Sequence, residues 1–169
     1  KDNLVFSMSL YPQVPLHFNK EMVTREELSS YSKLLEPRWK GKIIIQDPTI
    51  TGGMLKWFSV MIEEAFGPIL GLDYMRTLVK QEPLIMRDRR LVAQWVIQRK
   101  YPIAMNMQLD TIFTDFHRQG IPVSVIEDIT PREGGYLTTG GNNIVLLDKA
   151  PHPYASVVLL NWLLSREGQ

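Results

Sequence analysis

The run Gly41-Lys42-Ile43-Ile44-Ile45-Gln46-Asp47-Pro48 constrains the fold more than any other stretch of this chain. Three consecutive isoleucines leave no polar face, so a strand made of them must be covered on both sides. Gly41 and Asp47-Pro48 bound it as turn residues, and its shortness and β-branching mark a buried strand of a parallel sheet. Directly after it, Thr51-Gly52-Gly53 opens a helix in which Met54, Trp57, Phe58, Met61 and Ala65 recur at helical spacing. Gly67-Pro68 stops that helix.

The rest of the chain repeats this alternation. Residues 4–10 and 14–18 read as strands, which Pro12 and Pro15 confine to edges or hinges. Thr24-Arg25-Glu26-Glu27 has the form of a capping box and opens a helix through Leu35 that Pro37 ends. A helix over 72–80 and a strand over 84–86 follow. Asp88 caps a helix with Leu91, Val92, Trp95 and Val96 on one face. A strand at 101–107, a helix at 109–118 and a strand at 123–126 come next. A strand at 143–147 precedes a helix at 155–164 with Ala155, Val158, Leu159 and Trp162 inward. Gly140-Gly141-Asn142-Asn143 is the most linker-like stretch. The expected class is therefore α/β, a mixed, mostly parallel sheet flanked by helices.

Composition narrows the function classes. The chain has 169 residues, enough for one domain or two small lobes, and such a length buries about 70% of its unfolded surface. With 44% hydrophobic and 22% charged residues it is neither disordered nor a fibrous repeat. A net charge of +1 gives no electrostatic footprint for nucleic acid. Zero cysteine excludes a disulfide scaffold, a thiolate zinc site and a cysteine nucleophile. No basic segment followed by an apolar one marks a signal peptide at Lys1, and no uncharged apolar run approaches the roughly 18 residues of a membrane span.

Open α/β sheets bind ligands beyond the carboxyl ends of their strands, where helix N-termini also point. Four loops qualify. The first, from Asp47 to Gly53, offers hydroxyls and free N–H groups at a helix start to a carboxylate, phosphonate or other oxyanion, through Thr51, Gly52 and Gly53. Its plainer reading has Thr51 capping the helix and the glycines permitting the turn. In the second, Arg87 presents a planar fork to an anionic group, unless Arg87, Arg89 and Arg90 only form a solvated helix start. The third carries Asn106, a donor and acceptor in an apolar run. The fourth, from Pro131 to Tyr136, has Glu133 to accept from an amine and Tyr136 to wall a pocket, or is a surface turn.

Catalytic constellations are poor. His17, His117 and His152 are scattered, with no i, i+4 ligand spacing for a metal. The chain has no Gly-x-Ser-x-Gly elbow, no Walker loop and no Gly-x-Gly-x-x-Gly after a strand. Glu63-Glu64 reads as a solvated pair. Together these absences favour binding over turnover, with no catalytic residue, no metal and no cofactor.

Three segments in fixed order carry a family resemblance. Leu34-Leu35-Glu36-Pro37-Arg38-Trp39-Lys40-Gly41-Lys42-Ile43 resembles the "LLdPkWKGKI" segment of bacterial extracellular solute-binding proteins, the ligand-capturing subunits of ABC importers of the iron, thiamine, polyamine and phosphonate group. Phe18-Asn19 and Val23 to Tyr31 precede it as that family's "fN…vt.eel.sy..L" does. The stretch from Ala150-Pro151-His152-Pro153-Tyr154-Ala155 to Ser165-Arg166-Glu167-Gly168-Gln169 is similar to "ApHPnaA…fl.wllS.eGQ", and Lys100-Tyr101-Pro102-Ile103-Ala104 to the "geyPia" strand.

The resemblance implies a type 2 periplasmic-binding-protein fold, two α/β lobes joined by crossing strands with the ligand between them. It implies that this chain is a second-lobe fragment: residues 1–20 as hinge-crossing strands, 21–140 as the second lobe, and 141–169 as the return strand and helix toward the missing first lobe. The last helix would then show its apolar face, including Val158, Leu159 and Trp162, to that lobe or to a partner chain, the surface for a dimer. Ligand contacts would fall on Thr51, Gly52, Gly53, Asn106, Glu133 and Gly134, beside the Arg87 and Tyr136 of the residue reading. Iron-binding members carry adjacent tyrosines shortly after the "geyPia" strand, where this chain has Asn106-Met107-Gln108-Leu109. A small organic or oxyanionic ligand is therefore expected rather than iron. The implied partner is an ABC permease, and the implied location periplasmic or extracellular, with or without a lipid anchor. The alternative on the same fold is the ligand-sensing effector domain of a transcriptional regulator.

Overall fold

Ile43, Ile44 and Ile45 are all buried, and they divide between two cores as the alternation of a strand requires. Ile43 and Ile45 join Leu16, Phe18, Ile103 and Met105 in one cluster, while Ile44 and Ala104 join the other. The computed structural model describes residues 5–7, 11–62, 70–138, 143–147 and 149–168.

In chain order the strands are β1 (Val5–Ser7), β2 (Tyr11–Gln13), β3 (Leu16–Asn19), β4 (Ile43–Gln46), β5 (Leu84–Met86), β6 (Ile103–Met105), β7 (Ile126–Ile129), β8 (Tyr136–Thr138) and β9 (Asn143–Val145). The helices are α1 (Gly53–Ile62), α2 (Leu72–Lys80), α3 (Arg89–Ile97), α4 (Asp110–Arg118) and α5 (Pro153–Leu163). The chain divides into two compact units, one of Gln13–Tyr136 and one of Lys1–Pro12 with Leu137–Gln169.

The larger unit is built on a five-stranded sheet in the order β5-β4-β6-β3-β7. β4 is parallel to both β5 and β6, and β3 is antiparallel to both β6 and β7. The sheet is mixed, with four of its five strands running the same way. Trp57 of α1 and Tyr74, Met75 and Leu78 of α2 cover one face. Val92, Ala93 and Val96 of α3 and Phe116 of α4 cover the other. Full burial of such side chains stabilises by about 1.5–3 kcal/mol each before entropy is counted. In the smaller unit β1 pairs antiparallel with β9, Val5 opposite Val145, and α5 follows.

Helices α2 and α3 and strand β5 lie where the periodicity placed them, and Asp88 caps α3 by accepting from Leu91 N at 3.0 Å. Elsewhere the structure departs from expectation. The capping box forms, with Glu27 accepting from Thr24 N at 2.8 Å and Thr24 Oγ1 from Glu27 N at 3.4 Å. It opens three short 3₁₀ turns, Glu26–Leu28, Tyr31–Leu35 and Pro37–Trp39, instead of a helix through Leu35. Ser30 is the cause: its backbone is extended and its hydroxyl starts the next turn by accepting from Ser32 N.

Pro15 does not make β3 an edge strand, because it precedes the strand and β3 lies between β6 and β7. Strand β7 occupies 126–129 rather than 123–126, since Ile126 N turns back onto Val123 O and the ladder with β3 begins there. Strand β8 carries no pattern by which it was anticipated. The inward set assigned to the last helix does not hold: Val158, Leu159 and Trp162 are each more than half exposed, and Leu160 is the buried residue of α5. Residues 63–68, with the Glu63-Glu64 pair, and 140–142 of the linker-like stretch lie outside the described residues. Among the described residues no helix is long and apolar enough to cross a membrane.

Candidate functional site

Strand direction gathers the four loops. β5 and β6 run with β4; β3 opposes β6, and β7 opposes β3, so β7 runs with β6. The loops after β4, β5, β6 and β7 therefore leave one edge of the sheet, the edge at which β3 begins.

The first two loops are tied together by charge. Asp47 Oδ1 accepts from Thr49 N at 2.8 Å and from Thr49 Oγ1 at 2.6 Å. Arg87 donates through Nε to Asp47 Oδ2 at 2.6 Å and through Nη2 to Thr49 Oγ1 at 3.2 Å. The hydrogen bonds from Thr49, then that from Arg87, hold the Asp47 carboxyl down at about 2. Arg87 is anchored on one side and 67% exposed, leaving the rest of its fork to meet an anion. It is thus not merely part of a solvated helix start; Arg89 and Arg90 reach Gln108 O and Gln119 instead.

The helix start is built on Gln46 rather than Thr51. Gln46 is buried at the end of β4, and its Oε1 accepts from Met54 N at 3.1 Å, meeting one of the free N–H groups of α1. Gly52 passes so close that a Cβ there would stand 2.5 Å from Gln46 Oε1. Thr51 is exposed, ahead of the first helical residue Gly53.

Asn106 joins this start to the third loop. Its Nδ2 donates to Met54 Sδ at 3.7 Å and its backbone N to Pro15 O at 2.7 Å. Asn106 at φ 54 and Gln108 at φ 52 both occupy the left-handed region, a strained pairing that the bond from Gln108 Nε2 to Gln13 Oε1 at 2.7 Å helps hold. Asn106 is buried, so its amide braces the loop.

The fourth loop turns inward. Glu133 accepts from Ser30 Oγ in a short bond and from Tyr31 N at 3.2 Å, with Arg132 Nε 3.7 Å from Oε1. Burial raises its carboxyl most, and the Ser30 and backbone bonds outweigh this together, leaving it below its ordinary value. Gly134, at φ 99, accepts from Tyr31 Oη at 3.3 Å through its carbonyl. Tyr136 is buried in the first core, and burial pushes its hydroxyl up to about 12. The loops that carry Thr51, Gly52 and Gly53, Arg87, and Asn106 thus leave the same edge of the sheet, whereas Glu133 and Gly134 fasten the 3₁₀ segment and Tyr136 lies in the first core.

Neither a protein-family profile nor a curated protein sequence matches the chain. Solved structures do. A ferric ion-binding protein A from Pasteurella haemolytica superposes with a TM-score of 0.72 at 16% identity, over 97% of this chain and 52% of that one. The periplasmic binding protein AfuA from Actinobacillus pleuropneumoniae, with fructose-6-phosphate bound, gives 0.63 at 18%, over 97% and 50%. A two-component system protein described as mediating signal transduction gives 0.69 at 21%, over 98% and 52%.

The fold is that of a periplasmic-binding-protein lobe. The chain spans about half the length of these proteins. Sequence reasoning missed two residues on which this lobe's strand-end edge depends, Gln46 and Gln108. Gln46 had a readable signal, a polar residue closing an isoleucine run just before a glycine pair; Gln108 had none. Among the described residues no group of three or more His, Cys, Asp and Glu could hold a metal ion.

Proposed function

We propose that this chain is one lobe of a solute-capture protein that serves an ABC importer, holding a small organic or oxyanionic ligand at its strand-end edge. The observation that carries the reading is Arg87, a guanidinium fixed by Asp47 and Thr49 with its remaining donors exposed beside the start of α1. A fixed planar donor at a helix N-terminus suits a phosphate, phosphonate or carboxylate. The segment Asn106-Met107-Gln108-Leu109 offers no phenolate for ferric iron. The chain captures and does not turn over its ligand, in the periplasm or outside the cell, with or without a lipid anchor.

The remaining ligand contacts and the permease-facing surface belong to a second lobe, which closes over this one by a hinge. That lobe covers the exposed side chains Val158, Leu159 and Trp162 of α5. The test is calorimetry with inorganic phosphate, sulfate and fructose-6-phosphate on this chain and on the two-lobed protein. One of these anions binds the two-lobed protein far more tightly than the chain alone, and Arg87→Ala weakens it about tenfold or more. Equal affinity for both proteins overturns the two-lobe account.

A second reading, the effector domain of a regulator, draws on the signal-transduction protein of the same fold. A helix-turn-helix encoded upstream of Lys1 would favour it, and a signal peptide or lipidation cysteine there would favour transport.

A further inference from the structure

A cavity of about 240 Å³ opens between α4 and β7, and neither Arg87 nor Asn106 nor the 47–53 loop lines it. His17 is one of its walls. On β3 this residue alternates with Leu16 and Phe18 of the first core, so its ring faces the helices of the second. It is 2% exposed, beside Phe113 at 5.7 Å between ring centres. Its Nε2 lies 3.4 Å from Asp110 Oδ1, at the first residue of α4.

A carboxylate only accepts, so Nε2 donates to Asp110, and in the neutral ring Nδ1 is the acceptor. That Nδ1 is buried and has no hydrogen-bond partner. Across the ladder, His17 stands opposite Asp128, which is exposed. Asp128 makes no side-chain hydrogen bond or ion pair among the described residues, whereas its neighbour Glu127 is taken by Lys20 and Arg25. Phe113, Val123 and Ile126 supply the apolar lining. The cavity therefore has an aromatic and aliphatic wall and three acidic residues, Asp110, Glu127 and Asp128, of which Glu127 is paired with Lys20 and Arg25, and no Lys or Arg lines it.

We propose that this cavity binds a small organic ammonium, its N–H groups directed to Asp128 and Asp110 and its hydrocarbon part against Phe113, Val123 and Ile126. The charge is what selects the class. An anion meets two carboxylates, and a neutral hydrocarbon leaves the acceptors unanswered. An ammonium answers both and gains from the aromatic face. The volume suits a short-chain amine rather than a drug-sized molecule.

The test uses n-butylammonium as probe, with n-butanol and butyrate as isosteric controls, read by the ring ¹⁵N signals of His17 and the amide signals of 110–128 in the whole chain. Butylammonium shifts those signals saturably, and the controls do not. Asp128→Asn keeps the shape and weakens the response about two- to fivefold, and Phe113→Leu weakens it independently. The amide spectrum itself reports whether each variant is folded. No saturable shift with butylammonium overturns the proposal, and so does an equal response to n-butanol or an unchanged one in Asp128→Asn.

Discussion

Arg87 Nε lies 2.6 Å from Asp47 Oδ2, so the loop after β5 and the loop after β4 are joined by one guanidinium. The two strands are parallel neighbours, Gln46 beside Met86, so their ends bring these loops side by side. Asp47 serves both partners because each of its oxygens takes a different one, Oδ1 from Thr49 and Oδ2 from Arg87.

Asp47 will titrate near 2, followed by carboxyl ¹³C shifts across an acid series. Its folded value lies below the ordinary value near 4, so its ionised form favours the fold above about pH 4. That contribution disappears as pH falls toward 2. Thr49→Val, which removes the hydroxyl bond, and Arg87→Ala, which removes the guanidinium bond and charge, each raise the midpoint. A midpoint unmoved by either change contradicts the arrangement.

Gly52→Ala will destabilise the chain by about 1–3 kcal/mol in denaturant unfolding, because its Cβ strikes the buried amide of Gln46. Gly71→Ala is the control. Nothing lies within 4 Å of a Cβ there, so the change meets no clash and costs less than about 1 kcal/mol, the loss of a glycine N-cap of α2.

Tyr31→Phe will cost about 1–3 kcal/mol, since Trp57 Nε1 donates to the Tyr31 hydroxyl at 3.1 Å inside the core. The change leaves that indole N–H buried without a partner. It also frees the Gly134 carbonyl, so amide exchange in 132–135 quickens. Unfolding midpoints and exchange rates measure the two effects separately.

Glu133→Gln will destabilise by about 1.5–3 kcal/mol through weaker bonds from Ser30 and Tyr31 N. The folded carboxyl sits below its ordinary value, so the wild-type advantage is present above about pH 4.5 and shrinks as pH falls below it. The difference in unfolding free energy between the two proteins, measured across that window, narrows on acidification.

Periodicity made much of this fold legible. The isoleucine run at 43–45 announced a strand buried on both faces, and each isoleucine is buried. Helices α2 and α3 were readable because their apolar residues recur at helical spacing and a charged cap precedes α3. The 24–35 segment was misread because its capping box is real, while the extended Ser30 that ends the first turn answers to Glu133, about a hundred residues away. A local signal cannot register such a partner. The misreading of α5 has a related cause: a helix apolar on several faces does not say which one is inward.

By itself the sequence determined the isoleucine strand, the helices that must cover it and the loops at its carboxyl end, because these follow from side-chain alternation and turn chemistry between neighbouring residues. Only the tertiary structure decided what each loop residue does. It fixed Arg87 on Asp47, placed Gln46 rather than Thr51 at the start of α1, turned Glu133 inward, and set His17 opposite Asp128. Those outcomes depend on strand order and direction, which bring together residues tens of positions apart, and no local pattern encodes that meeting.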